Sequence, residues 1–338
     1  MTTLSLSYTM TGGRFVGSDR VVLSGSSNRS TPIELVSVES EFSSGNKIEI
    51  RGTCSAMEVG SVTRYSKSFV AVGTNIEGRG ALSVVEIQSD GTDVWISPDD
   101  GFYQITEKED SVYTSLAYYG QYSQLAASNE CGDVIVRDLT SASEVVRFNA
   151  EFCGVDIVKY SNSGHILSLG PSNSAQLKVW DIRTGSPAMV RSSTRPTEST
   201  VARLTSVLTS YVNDYDILCG TSAGRIVQWD TRRDGYISHE IHASNSSVTA
   251  LCAHPFIEGA VLSGASDGTV ACMEFDVLGG GRGRRRPGRD SVGKAVIEVN
   301  QRLLQEPSAI TSIDADISSK KILVTSKLGR ARVLTATN

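Results

Sequence analysis

Few residues in this sequence have the types and spacing that a catalytic or metal centre needs. Among the four histidines, His239 and His242 stand three apart on a predicted strand, so their side chains would face opposite sides of a sheet. Cys252 and His254 would share one strand face, but no second pair of ligands follows nearby. No serine lies in a turn between a strand and a helix, so no nucleophile elbow is predicted. We therefore predict a protein that is not an enzyme and that needs no metal or cofactor.

Two arginines are better placed for chemistry, because each follows a Trp-Asp pair by two residues. They are Arg183 in LKVWDIR (177–183) and Arg232 in IVQWDTRR (226–233). If the two segments are equivalent strands of neighbouring units, both arginines would lie near one rim of the molecule. Two interpretations stay open: each guanidinium pairs with a local acid, or the two together contact a partner protein.

The most basic segment is GGGRGRRRPGRD at 279–290, within an insertion that spans 279–295. Its arginines stand among Gly and Pro with no acid before Asp290: Arg282, Arg284, Arg285, Arg286 and Arg289. The segment is predicted to be a flexible solvated loop, with a nuclear-import signal or a weak nucleic-acid contact as alternatives. Such a contact would depend on salt and not on base sequence. The formal net charge of −5 gives no other reason to expect nucleic-acid binding.

The elements that would position these residues are short strands. Most apolar segments are rich in β-branched residues, alternate with polar ones and lie between clusters of Ser, Gly, Asn or Asp. One plan recurs, namely an apolar strand, a turn with Gly and a second strand that ends on an acid. It is clearest in QLAASNECGDVIVRDL (124–139), DILCGTSAGRIVQWD (216–230) and GAVLSGASDGTVACMEFD (259–276). Neighbouring copies are roughly 43 to 59 residues apart, close to the ~40–45 residues of a four-stranded propeller repeat.

Each copy has a further strand before the pair, and most have one after it, which gives seven units of four strands. A four-stranded sheet cannot cover both of its faces, but radial packing against neighbouring sheets buries them. We therefore predict an all-β fold, a seven-bladed β-propeller, with the whole chain 1–338 as one domain.

The two ends of the sequence predict how the ring closes. The last unit, KILVTSKLGRARVLT, reaches Thr335 without a fourth strand after it. Before the first unit, Leu4, Leu6 and Tyr8 alternate with serines, which is the pattern of a strand. The N-terminal strand is therefore predicted to complete the last blade, because this removes two exposed sheet edges at once.

The six cysteines have no C-x-x-C spacing, and most lie in apolar runs. We predict that they are small buried side chains in a reducing compartment. The first residues lack the basic and continuous apolar regions of a signal peptide, and no segment approaches the ~18 apolar residues of a membrane span. The expectation is a cytoplasmic or nuclear protein.

The two Trp-Asp pairs, the Asp267-Gly268 turn and a histidine before a first strand resemble the WD40 family, whose fold is the propeller. The resemblance implies structural roles for Trp180, Asp181, Trp229, Asp230, His242 and Asp267. The sequence also departs from the family, since the Gly-His pair is absent and tryptophan ends only two of the strands. The family's His–Ser–Asp–Trp hydrogen-bond network is therefore expected to be incomplete in every blade. Blade six comes nearest with His242, Ser263 and Asp267.

A narrower resemblance covers 155–338. GHILSLGPSNSAQLKVWDIRTG (164–185), the segments up to SGASDGTV (263–270) and AVIEVNQRLLQEPSAITSIDAD (295–316) are similar to the small WD-repeat nucleoporins of the Y-shaped nuclear pore scaffold. The order of segments and the insertion before the last blade strengthen it. The resemblance implies a structural role in nucleocytoplasmic transport, at the nuclear envelope and nuclear pore complex. It also implies docking on an α-solenoid nucleoporin of the short arm, nucleoporin eighty-five, and no small-molecule substrate.

Two other functions fit the same residues. In WD40 substrate receptors of cullin-RING ubiquitin ligases, paired arginines like Arg183 and Arg232 contact the adaptor. A chromatin or ribosome-assembly WD40 adaptor is the third candidate.

Overall fold

The computed structural model describes most of the chain as antiparallel β-sheet. The described residues are 2–38, 43–62, 67–90, 93–96, 103–104, 110–151, 153–170, 176–184, 186–192, 202–209, 215–232, 237–257, 259–274 and 301–335. The predicted Arg/Gly insertion at 279–295, with Arg282, Arg284, Arg285, Arg286 and Arg289, lies outside these ranges. In this part of the chain no helix has the length and apolar character required to cross a membrane.

The first two blades follow the N-terminal strand. These strands are β1 Thr2–Ser5, β2 Thr9–Phe15, β3 Arg20–Ser26, β4 Ser30–Ser37, β5 Ser43–Arg51, β6 Thr53–Val62, β7 Lys67–Ile76, β8 Arg79–Asp90, β9 Asp93–Ile96 and β10 Tyr103–Gln104. Blade one is β2 to β5 and blade two is β6 to β10. Blade two has five strands where four were predicted, because its outer edge is split between β9 and β10, which both pair with β8.

Blades three to five have four strands each. Their strands are β11 Tyr113–Tyr119, β12 Gln124–Asn129, β13 Asp133–Asp138, β14 Ser143–Asn149, β15 Ile157–Tyr160, β16 Ile166–Leu169, β17 Gln176–Asp181, β18 Ser186–Ser192, β19 Leu204–Thr209, β20 Asp216–Thr221, β21 Arg225–Asp230 and β22 Ile237–His242. A single 3₁₀ turn, Gly120–Tyr122, joins β11 to β12.

Blades six and seven complete the ring. Their strands are β23 Val248–Ala253, β24 Ala260–Ala265, β25 Thr269–Glu274, β26 Gln301–Gln305, β27 Ile310–Asp316, β28 Lys321–Ser326 and β29 Arg330–Thr335. The Arg/Gly segment therefore falls between the third and fourth strands of blade six. The innermost strands contact one another in a closed circle, from β2 through β6, β11, β15, β19 and β23 to β27 and back to β2.

The predicted closure by the N-terminal strand is confirmed. β1 pairs with β29 as the fourth strand of blade seven, with Leu4 opposite Ala331. The Leu6 amide then donates to the Gly329 carbonyl at 2.7 Å. In blades three and five the equivalent hydrogen bonds run from the Ala150 amide to the Gly132 carbonyl and from the Ala243 amide to the Gly224 carbonyl. The N-terminal strand thus takes the position of an ordinary outer strand, which leaves no gap in the ring.

The core consists of seven apolar clusters, one between each pair of neighbouring blades. Alternation along the strands explains this arrangement, since successive side chains face opposite sides of a sheet. Ile166 packs toward blade three, and the next residue, Leu167, packs toward blade five. Each blade is therefore buried on both faces, as radial packing requires.

A feature that the sequence analysis missed repeats along the inner strands. Six of them contain a bulge at a Ser or Thr. Four of these hydroxyls donate to a backbone carbonyl of the next blade: Thr11 to Cys54, Thr114 to Val155, Thr205 to Val248 and Thr249 to Ile310. The bulges re-aim these side chains across the seams, so the blades are joined by hydrogen bonds as well as by apolar packing.

In five blades the turn between the second and third strands contains a glycine with positive φ: Gly78, Gly132, Gly224, Gly268 and Gly329. Gly224 has a φ of +74°, and a Cβ there would collide with the Ser244 carbonyl of the following linker. Gly17, in the loop from the first to the second strand of blade one, has a similar φ of +71°, but a Cβ there would meet no atom within 4 Å. A substitution at Gly17 would therefore cause backbone strain alone, whereas one at Gly224 would cause the same strain and a collision with the linker.

We expect Gly224→Ala to destabilise the protein clearly more than Gly17→Ala. Both substitutions carry the left-handed backbone penalty of about 1–2 kcal/mol, and only the first also pushes a linker away from its blade. Urea unfolding of the two variants measures the difference. Equal losses would show that the turn and the linker are not held together as the geometry indicates.

Two cysteines differ from the sequence prediction. Cys219 and Cys272 are buried, as predicted, but Cys131 and Cys153 are exposed. The reason is their position, because Cys131 lies in a turn and Cys153 in a linker between blades, where no neighbouring sheet covers them.

Candidate functional site

The antiparallel blades give the ring two different faces. One face carries the loops from first to second strands and from third to fourth strands, including the residues that follow the Trp-Asp pairs. We call it the WD face. The opposite face carries the turns from second to third strands and the linkers between blades.

On the WD face, Arg183 and Arg232 form the same local structure. The Asp181 carboxylate accepts hydrogen bonds from the Arg183 amide, Nε and Nη2 at 3.0, 3.0 and 2.8 Å. Asp230 accepts the equivalent three bonds from Arg232 at 3.0, 2.9 and 2.9 Å. Of the two interpretations left open, the local ion pair is the arrangement present, and we call each pair an Asp–Arg clasp.

The clasps leave the arginines accessible. The side chains of Arg183 and Arg232 are 82% and 58% exposed, and the Arg232 guanidinium lies 4.4 Å from the centre of the Tyr215 ring. Hydrogen bonds from Arg183 lower the pKa of Asp181 to about 2, so this clasp stays ionised at neutral and mildly acidic pH. The outer edges of two fixed guanidinium groups therefore face solvent on neighbouring blades.

The strand-end acid also caps a turn where no arginine follows. In blade three Asp138 accepts from the Thr140 amide at 2.7 Å and from the Ser141 amide at 3.2 Å. Asx turns of this kind fix the chain as it leaves a strand. Asp138 therefore shapes its loop without an arginine, whereas in blades four and five an arginine also pairs with the acid.

The tryptophans before the clasps are internal. Trp180 is buried, donates from Nε1 to Ser168 Oγ at 2.8 Å and packs on Phe148 with ring centres 4.7 Å apart. Trp229 is fully buried, and its Nε1 has no hydrogen-bond partner among the described residues. In each Trp-Asp pair the ring anchors the strand between blades and the acid shapes the loop at the surface.

Apolar side chains are also exposed on the WD face. Six large apolar residues are exposed in the described part of the chain, and three lie here: Tyr122, Tyr215 and Ile317, which are 60%, 46% and 74% exposed. Tyr122 continues into a row of rings across blades three and four, since Tyr119 lies 5.7 Å from it and 5.1 Å from Tyr160. Tyrosine and arginine are the residue types enriched where proteins bind one another.

A ring of charged residues lines the centre of the propeller. On the six inner strands with a bulge, the residue two positions beyond the paired residue that follows the bulge is equivalent by register: Arg14, Glu58, Ala117, Leu208, Cys252 and Asp314. Lys159 is the matching residue of β15, which has no bulge. Four of these seven are charged, with two of each sign. The local sequence does not mark them: Arg14, Glu58 and Lys159 are each the only charge in their strands, and Asp314 shares β27 with Asp316.

The charges of this ring meet across the axis. Lys159 Nζ lies 3.2 Å from Glu58 Oε2, although these residues belong to blades four and two. The small Ala117 of blade three leaves room for the contact. Burial lowers the pKa of Arg14 and the charges of Glu58 and Asp314 raise it more, so Arg14 lies close to both carboxylates. The centre thus holds two positive and two negative side chains and is crossed by an ion pair.

Comparison with known proteins identifies the architecture. No protein-family model matches the sequence, and no curated protein does either. The crystal structure of the WD40 β-propeller domain of Doa1 superposes with a TM-score of 0.69 at 15% sequence identity. The match covers 98% of this chain and 94% of that one. The fold is a seven-bladed β-propeller, like that of this WD40 domain.

The polar cluster of blade six differs from the one predicted for a WD40 repeat. Asp267 accepts from the Thr269 amide at 2.9 Å, its own amide donates to Ser246 Oγ at 3.1 Å, and Ser244 Oγ lies 3.4 Å from its carboxylate. His242 is exposed at the end of β22. Ser244 and Ser246 thus make the contacts expected of His242. The reason is that β22 ends at His242, and it is the linker after this strand that passes Asp267.

His254 and His165 have local partners, and the side chain of His239 lies outside the described part of the structure. His254 Nδ1 accepts from the Ile257 amide at 3.1 Å, and His165 Nδ1 lies 2.8 Å from Ser163 Oγ. Both bonds stabilise loops of the WD face. Within the described ranges, no group of three or more His, Cys, Asp or Glu side chains is arranged to hold a metal ion.

Proposed function

We propose that the protein is a scaffold that binds partner proteins through its WD face. The observation that carries the proposal is the concentration of exposed Tyr122, Tyr215 and Ile317 on the same face as the two Asp–Arg clasps. WD40 propellers generally mediate protein–protein interactions and are generally not catalytic. Rigid loops with exposed aromatic and arginine side chains bind with little loss of conformational entropy.

The experiment compares charge substitutions on the two faces. The double variant Tyr122→Glu with Ile317→Glu places acids on the WD face. Leu328→Glu is the matched control, because Leu328 is 64% exposed and lies in a turn on the opposite face. Affinity purification should recover partners with the control and lose them with the double variant, by about tenfold or more. Loss with Leu328→Glu alone would place the binding surface on the opposite face.

Within this class we propose a structural nucleoporin of the Y-shaped scaffold, similar to nucleoporin forty-three. The support is the sequence resemblance over 155–338, in the order of its segments and the position of its insertion. The expected partner is the α-solenoid nucleoporin eighty-five, and the expected location is the nuclear envelope and nuclear pore complex. A tagged protein should give a punctate nuclear rim and should purify with scaffold nucleoporins. Diffuse nuclear signal without them would contradict the proposal.

One observation favours a second function, that of a substrate receptor of a cullin-RING ubiquitin ligase. The two clasps on neighbouring blades have the same geometry and expose both arginines on one face. A partner that recognises such a pair would bind both guanidinium groups.

The double variant Arg183→Ala with Arg232→Ala distinguishes the two functions. A ligase adaptor that uses both arginines should lose about 3–6 kcal/mol of binding free energy, since each charge-assisted hydrogen bond is worth about 1.5–3 kcal/mol. A pore scaffold should keep its partners within a few-fold. Arg225→Ala is the control, because Arg225 is also exposed and paired with an acid, Glu240, but lies near the opposite face. Selective loss of an adaptor would overturn the nucleoporin proposal.

A further inference from the structure

Two exposed cysteines lie on adjoining segments of the opposite face. Cys131 is in the turn between β12 and β13, and Cys153 is in the linker that leads from β14 to blade four. Both are exposed free thiols. The other four cysteines lie on or at the ends of strands and are buried or half-buried.

Backbone contacts set these two segments side by side. The Val155 amide donates to the Asn129 carbonyl at 3.1 Å, and the Glu151 amide donates to the Gly132 carbonyl at 3.3 Å. Between these bonds, the Glu130 carbonyl lies 2.8 Å from the point where a Cβ on Gly154 would be. The segments therefore run antiparallel, with 129 facing 155, 130 facing 154 and 132 facing 151. Continued by one residue, this register places Cys131 opposite Cys153.

The spacing suits a covalent link between the two sulfurs. Residues that face each other on antiparallel backbones have Cα atoms about 4.5–5.5 Å apart, and disulfides join Cα atoms about 4.4–6.8 Å apart. Gly132 and Gly154 follow the two cysteines directly and permit the close approach, since a Cβ on either would meet backbone of the other segment. No rearrangement of blades is needed to bring the thiols together.

The turn that carries Cys131 is held by side chains. Asn129 Oδ1 accepts from the amides of Cys131 and Asp133 at 3.1 and 2.9 Å. Asn149 Nδ2 donates to the Cys131 carbonyl at 3.3 Å. The Cys131 backbone is therefore fixed before any reaction, which reduces the entropy lost when a link forms.

We propose that Cys131 and Cys153 are a redox-responsive dithiol that closes to a disulfide. With oxidised glutathione as the oxidant, one cysteine thiolate attacks the glutathione disulfide and releases one glutathione thiolate. The other cysteine thiolate then attacks the protein sulfur of the mixed disulfide and releases the second glutathione. The two protein thiols lose two protons and two electrons, and one oxidised glutathione becomes two reduced molecules. The bond fastens the turn of blade three to the linker into blade four.

The remaining thiols are poor competitors for the oxidant. Cys219 and Cys272 are buried. Burial raises the pKa of the Cys54 thiol and raises that of Cys252 to about 12. Because the thiolate is the reactive form, both stay protonated at neutral pH. Oxidation is therefore expected to be selective for the exposed pair.

The test is a titration of the intact protein with glutathione buffers of increasing oxidised fraction. Non-reducing peptide mapping should find one crosslink, between the peptides that contain Cys131 and Cys153, and the intact mass should fall by two hydrogen atoms. The oxidised form should melt higher by roughly 5 °C, because the link closes a loop of about 20 residues in the unfolded chain. The melting shift should disappear on reduction.

Single serine variants supply the controls. Cys131→Ser or Cys153→Ser should abolish the crosslink and leave one stable glutathione adduct on the remaining exposed cysteine, with the melting temperature of the reduced protein unchanged. Two glutathione adducts on the unsubstituted protein without a crosslink would overturn the proposal. Disulfide-linked dimers, or a crosslink through any other cysteine, would overturn it as well.

Discussion

Removal of residues 2–8 behind an initiating methionine is expected to lower the free energy of unfolding by several kcal/mol and to cause aggregation. Tyr8 is buried and Leu4 and Leu6 are half-buried in the cluster between blades seven and one. Full burial of an apolar side chain stabilises by about 1.5–3 kcal/mol. The deletion also leaves β29 as an open edge, which is a template for pairing with another chain. Thermal unfolding and light scattering measure the two effects.

Two substitution variants separate the contributions to this result. Leu4→Ser with Leu6→Ser keeps the strand backbone and removes its apolar contacts, so it should lose stability with less aggregation than the deletion. Thr3→Ala with Ser5→Ala changes the exposed positions of the same strand and should be close to neutral. If the deleted protein melted like the full chain, the N-terminal strand would not be the element that closes the ring.

The architecture could be predicted because its signals are local. Alternation and turn residues predicted the first strands of blades three to seven to within a few residues, for example AITSIDAD for β27, Ile310–Asp316. The Trp-Asp pairs predicted the strand ends of blades four and five in the same way. Blade two was less predictable, because its outer edge is built from two short strands, β9 and β10, whose positions depend on the long β8.

The features of the site that were missed depend on contacts between blades. Lys159 and Glu58 are 101 residues apart, and each looks like an ordinary solvated charge in its own strand. The hydroxyl bonds from Thr11, Thr114 and Thr205 reach residues 41 to 43 positions further along the chain. The Ser or Thr repeated near the start of six inner strands was the available signal. It identifies the equivalent position in those six blades and aligns Arg14, Glu58 and Asp314, but β15 with Lys159 lacks it.

The proximity of the two exposed cysteines also could not be predicted from the sequence. Cys131 and Cys153 are each followed by glycine in the sequence, but adjacency across a turn and a linker is a property of the folded blade. A cysteine within an apolar strand is buried or half-buried, whereas a cysteine in the turn between two strands is exposed. Assigning each cysteine to a strand or a turn would have separated the two groups.

The two buried tryptophans should both be essential for stability but should differ in one respect. Trp180→Ala and Trp229→Ala should each cost about 3–5 kcal/mol, because either truncation leaves a large cavity between blades. Replacement by Phe removes the same volume from both sites, yet Trp180 donates a hydrogen bond to the buried Ser168 hydroxyl, whereas Trp229 has no partner in the described part of the chain. An unsatisfied buried hydroxyl costs about 1–3 kcal/mol. Trp180→Phe should therefore be more destabilising than Trp229→Phe by about that amount.

A double-mutant cycle isolates this hydrogen bond. Ser168→Ala in the Trp180→Phe background removes the orphaned hydroxyl, so the double variant should recover part of the stability that Trp180→Phe lost. In the Trp229→Phe background the same Ser168→Ala change should show little coupling, because Trp229 lies in blade five and makes no bond to Ser168. Urea unfolding of the set gives the coupling energy. If instead either tryptophan variant kept full stability and no longer bound partner proteins, that tryptophan would be a contact residue. The anchoring role of the Trp-Asp pair would then be wrong.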